Sequence, residues 1–179
     1  MKNLLKFFDG EGEKMLLQTD KLHQALTHLR YESRAYRPKN IKAVRDVIQT
    51  LDGILQRHQS SQEEIIFPFL ESHIPRHEAA IHLLEAEHED IQKNTDKLKS
   101  SLQKLPEAHG NLNDGKIYER GIYLISLVQH HVGFEQRHIR KSIHKELHAD
   151  EKAVITSRVS GWLKKKANRK NVKGDERHE

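Results

Sequence analysis

The 179 residues suffice for one domain with its own hydrophobic core and do not call for two. Cysteine is absent, which excludes disulfides, thiolate metal sites, iron–sulfur clusters and thiol catalysis, and fits a reducing compartment. The formal charge of +5 is concentrated at one end: residues 164–179 carry seven Lys and Arg against three acids, so the remainder is nearly balanced.

The opening Met1-Lys2-Asn3-Leu4-Leu5-Lys6-Phe7-Phe8 is too short and too interrupted by Lys6 for a secretory segment. No apolar run approaches the roughly 20 residues that cross a bilayer. The expectation is a soluble cytoplasmic protein without membrane association. Apolar residues recur at helical spacing almost throughout, with no useful stretch of period two. A first helix reads from about Glu13 to Tyr36, with Leu16, Leu22, Leu26 and Leu29 on one side. Arg37-Pro38-Lys39 breaks it, and Asn40 is placed to cap the next. The second helix runs to about Ser72 along Val44, Ile48, Leu51, Leu55, His58, Ile65 and Phe69, with Pro68 kinking its last turns. Pro75 opens a third helix, with Ile81, Leu84, His88, Ile91, Thr95, Leu98 and Leu102 along one stripe, and Pro106 ends it. A loop over 107–115 precedes a fourth helix that reaches about His148. A shorter fifth, from about Asp150 to Lys166, offers Val154, Ile155, Val159, Trp162 and Leu163 for packing.

The fold class that follows is all-α: an up-down-up-down four-helix bundle over residues 12–148, with the helix at 150–166 laid against it. Residues 167–179 read as a basic, disordered tail, able at most to hold nucleic acid weakly.

Histidine is the compositional outlier, with fourteen in the chain. Three core stripes are interrupted by ligand-type residues: His58 on the second helix, His88 on the third, His131 with Glu135 on the fourth. His23 lies beside the stripe of the first. With the turns centred near Ile74 and across Pro106–Gly115, His58, His88 and His131 match in level to within about two residues, or ~3 Å. His23, counted from Pro38, is off by ~7 Å, which helix tilt can absorb. Burying such imidazoles together without a partner would leave nitrogens unsatisfied, and a bound cation resolves this. Glu135 projects only ~40° from His131 and can share the ion. Imidazole plus carboxylate suits iron, zinc, manganese or copper, and ligand softness does not choose among them.

These residues carry a family resemblance. Glu87-His88 on the third helix, His131-Val132-Gly133-Phe134-Glu135 on the fourth and His58 nine residues before Phe67-Pro68 make the chain resemble hemerythrin-like (HHE cation-binding) domains; Asp20-Lys21-Leu22-His23 is the best match for the first helix. The resemblance implies a non-haem iron site of one or two ions. It further implies a small ligand (dioxygen, nitric oxide or peroxide) or a role in handling iron, with a separate protein partner needed to relay any signal. Two positions depart from the pattern. Leu84 stands where hemerythrins proper carry a further histidine. Gln62 stands four residues after His58, where a carboxylate is expected. Glu63, one residue on, is turned by ~140° from His58 in a regular helix, which a π-bulge would correct. Losing one carboxylate leaves two ferrous ions undercompensated in an apolar core, so a weakened site holding one iron is expected.

His28 with Glu32 is an alternative donor pair on the first helix, and His138 reads as a residue supporting the site. His73, His77, His144 and His148 fall near one end of the bundle, chiefly as solvated surface, with a second, adventitious metal site as the alternative. Glu85-Ala86-Glu87-His88 and Glu135-Gln136-Arg137-His138 have the spacing of a ferritin-like di-iron oxidase, but on consecutive helices. A structural or interaction bundle with a degenerate site is the third reading. No glycine-rich phosphate loop or serine nucleophile turn occurs, so no catalytic residue is assigned and the chain reads as a metal-binding protein rather than an enzyme.

Overall fold

The computed structural model describes residues 4–105 and 112–175. Among the described residues seven α-helices run in order: α1 (Leu4–Tyr31), α2 (Arg37–Ser61), α3 (Phe67–His73), α4 (Glu78–Gln103), α5 (Leu112–Glu135), α6 (Lys141–Glu146) and α7 (Ala149–Asp175). A π-helical turn, Gln62–Ile66, joins α2 to α3, and a second, Gln136–Arg140, joins α5 to α6. α2 with α3, and α5 with α6, are therefore single legs of the bundle, each carrying one π turn. The legs close a ring in which α1 packs on α2 and α5, and α4 packs on the same two. No strand occurs among the described residues. The fold is the all-α bundle that the apolar stripes predict.

The boundaries differ from the sequence reading at both ends. α1 begins at Leu4 rather than near Glu13, and α7 continues to Asp175, where a short helix and a disordered tail had been expected after Lys166. The lysine-rich stretch has no helix breaker before Gly174, so its polarity argues against burial but not against helix. Residues 176–179, and 106–111 of the expected loop, lie outside the described part.

The reversal between α1 and α2 falls at 32–36, where the Tyr36 amide donates to the Ser33 carbonyl at 2.9 Å. Pro38 stands in the first turn of α2, where its missing N–H costs nothing. Asn40 bridges the turn, donating to the His28 carbonyl at 3.1 Å and to Glu32 at 2.9 Å. Buried Arg37 makes a two-pronged pair with Asp114 at the start of α5, at 2.8 and 3.1 Å, tying the turn to the fourth leg. The two-pronged geometry satisfies the carboxylate and offsets the desolvation of both charges.

Two apolar clusters fill the interior. One contains Leu22, Leu26, Leu51, Leu55, Ile91, Val128 and Val132. The other contains Ile66, Phe67, Ile81, Leu84, Ile139 and Ile143, joined by Ile155 and Val159 of α7. Along the second, third and fourth legs the change from one cluster to the other is marked by His58, His88 and His131.

Candidate metal centre

The three histidines at that boundary are 1, 2 and 0 % exposed respectively. One ring nitrogen from each lies within 4.8 Å of the others, the sole such group of three or more His, Asp or Glu among the described residues. His58 Nε2 is 3.3 Å from His131 Nε2 and 3.4 Å from Glu135 Oε2. The rings of His88 and His131 are 4.8 Å apart, and Phe67 stacks on His88 at 5.8 Å.

The outward nitrogens are held by carboxylates. Glu63 Oε1 lies 2.6 Å from His88 Nδ1, and Glu87 Oε2 lies 3.0 Å from His131 Nδ1; the other oxygen of Glu87 reaches Nδ1 of exposed His130 at 2.9 Å. An ionised carboxylate only accepts, so Nδ1 of His88 and of His131 carries the proton and the Nε2 of each presents a lone pair to the interior. Burial, followed by the proximity of His131 and His58, pushes the His88 imidazole down to about 2, which keeps it neutral at pH 7. Burial alone would raise Glu87, but its contacts with His131 and His130 outweigh that and hold it below the usual carboxylate range. Glu63 is raised, first by burial and then by Glu85, Glu89 and Glu64.

The donor set fits a cation. A proton on His58 Nε2 can serve His131 or Glu135, but His88 Nε2 is fully buried with no hydrogen-bond partner. An orphaned imidazole lone pair beside two further imidazoles is costly alone and complementary to a metal ion.

Four residues after His58 and at the start of the π turn, Gln62 points inward, fully buried, and its amide donates to Glu135 Oε1. Glu63 is turned toward the back of His88, so it supports that ring rather than reaching the central space. The π-bulge is present, yet it brings Glu63 to Nδ1 of a histidine and not to a bridging position.

α1 is where the sequence reading and the structure part. His23 is exposed, turned away from the buried face of Leu22 and Leu26, and His28 is exposed and paired with Glu32 at 2.5 Å. The true reversal is centred near Arg34; counting from there to His58 and the same distance back reaches Gly10, so His23 lies roughly 20 Å from the level of the site. Treating Pro38 as the centre concealed this. At that level α1 supplies Glu11, spent on Arg57 at 3.0–3.2 Å, and Gly12, where a Cβ would sit 3.3 Å from Val132 Cγ1. His138 is exposed and stacked on Phe134 at 4.2 Å, outside the cluster. His77 pairs with Glu146 at 3.1 Å, and no second metal-type cluster forms among the described residues at that end. Sequence reasoning missed the support given by Glu87: its place beside His88 suggested a family motif, whereas its contacts run across to His130 and His131.

A four-helix bundle with a buried, histidine-rich, single-carboxylate pocket is a cation-binding protein. The hemerythrin HHE cation-binding domain model matches residues 3–141, and the chain belongs to that family. Among curated proteins compared with it, none is significantly similar. No helix of the described residues is long and apolar enough to cross a membrane.

Proposed function

We propose that the chain binds one non-haem iron ion through His58, His88, His131 and Glu135 and uses an open position on it for a small ligand, dioxygen, nitric oxide or peroxide. The observation that carries this reading is that His58, His88 and His131 each bring a ring nitrogen to within 4.8 Å of the others, with Glu135 Oε2 3.4 Å from His58 Nε2 and His88 Nε2 buried without a partner. Three neutral imidazoles and one carboxylate supply one negative charge, which suits a single divalent ion; a second would be poorly compensated in this interior. Gln62 adds no charge and holds Glu135 in place. Glu63 and Glu87 fix the tautomers that ligation needs. Iron, when bound, supplies reversible binding or reduction of the small ligand. The surrounding Ile66, Phe67, Leu84 and Ile139 exclude water from it. Zinc or manganese fits the same donors, while a ferritin-like oxidase would require a carboxylate-rich set rather than this one.

The test is anaerobic ferrous loading followed by nitric oxide or dioxygen, monitored by visible absorption. A new band with each loaded protein, absent from His131→Ala, is expected. No spectral response from protein that retains its iron would reject small-ligand binding and leave iron handling as the role.

A further inference from the structure

The π turn Gln62–Ile66 is gripped from both sides. Inside, Gln62 holds Glu135 and Glu63 holds His88. Outside, Glu64 receives the indole N–H of Trp162 at 2.7 Å and the Lys166 ammonium at 3.0 Å, and that ammonium lies 5.0 Å from the centre of the Trp162 ring. Ile66 shares an apolar cluster with Ile155 and Val159 of α7. Three consecutive side chains therefore connect the metal centre to α7, a helix that begins after the family match ends at residue 141. A π turn is a less favourable backbone than the α-helix on either side, and it persists where its surroundings fix it. Slipping it back to α would rotate Glu63 away from His88. A cleft of about 470 Å³ bounded by Gly53, Gln56, Arg57, Trp162 and Leu163 separates α7 from α2, so the two helices meet chiefly through this turn.

We propose that α7 is a clamp on the metal centre: Trp162 and Lys166, by docking on Glu64, hold the π turn in the register that presents Glu63 to His88, and metal binding tightens that docking in return. The proposal rests on the metal reading above. The coupling is reciprocal by thermodynamic linkage, so whatever factor α7 contributes to metal affinity, the metal contributes to α7 docking. Glu64 is a positioning residue that touches no ligand.

Trp162 is the single tryptophan of the chain and reports directly on the contact. The experiment uses full-length protein with Zn²⁺, a diamagnetic probe that leaves indole emission unquenched, and repeats the affinity measurement with Fe²⁺. Stoichiometric Zn²⁺ should shift Trp162 emission in the wild type. Glu64→Ala should bind both metals about 10-fold more weakly and lose the shift, while its metal-free circular dichroism and thermal midpoint stay close to wild type because Glu64 is half exposed. Glu64→Gln, which still accepts the indole N–H, should recover part of the affinity. Wild-type affinity in Glu64→Ala, or unchanged Trp162 emission on metal binding, would overturn the clamp. A wild type that binds neither metal would instead overturn the metal reading, and the clamp with it.

Discussion

His88 meets Glu63 through one ring nitrogen, at 2.6 Å, and leaves the other buried and unpartnered. That relationship sets the polarity of the whole centre. A carboxylate at the back of an imidazole fixes which nitrogen keeps its proton, and the lone pair is thereby aimed inward. Glu87 does the same for His131 from the neighbouring leg. The two carboxylates occupy different surroundings, Glu63 among like charges and Glu87 between two histidines.

Removing either support should loosen a ligand without removing it. Glu63→Ala and Glu87→Ala are expected to weaken metal binding by roughly 10- to 100-fold, read by competition with a chromogenic chelator. Affinity unchanged in both variants would mean that packing by Phe67 and its neighbours orients the rings unaided.

At the far end of the bundle, the hydrogen bond from Arg76 and then that from His77 hold the Glu146 carboxyl down at about 2, against a smaller opposing effect of burial. Its folded-state pKa lies below the unfolded value of 4.5, so its contribution is complete above about pH 4.5 and fades as pH falls toward 2. Denaturant midpoints of wild type and Glu146→Gln should therefore differ at pH 6 and converge between pH 4.5 and 2. A gap as large at pH 2.5 as at pH 6 would assign the stabilisation to packing.

Two glycines in helices should respond in opposite directions to alanine. A Cβ at Gly121 of α5 would run into the side chain of fully buried Leu26 of α1, which would have to shift within a packed core; Gly121→Ala should cost about 1–3 kcal/mol. Gly53 of α2 has nothing near its would-be Cβ, and Gly53→Ala should stabilise by about 0.5–1 kcal/mol. Thermal or denaturant unfolding of the pair checks both signs.

Much of this was legible before the structure. The legs of the bundle announce themselves through apolar spacing, and the shared level of His58, His88 and His131 follows from rise per residue once the turns near Ile74 and Pro106–Gly115 are recognised. His23 misled because a proline is a good marker of a boundary and a poor one of a turn's centre: Pro38 lies inside α2, not at the reversal. Gln62 faces inward as its spacing of four from His58 requires, whereas the contact of Glu63 with His88 was not readable from spacing, since it depends on the π turn. Nor was Glu64, whose partners Trp162 and Lys166 lie about a hundred positions away.

The proposed centre holds one ion on donors from three legs of the bundle and none from α1. Native mass spectrometry of protein loaded anaerobically with Fe²⁺ tests it most directly, comparing wild type with His131→Ala and His23→Ala. One iron per chain in the wild type and in His23→Ala, and none in His131→Ala, is the predicted result. Two irons per chain, or loss of metal in His23→Ala, would contradict it.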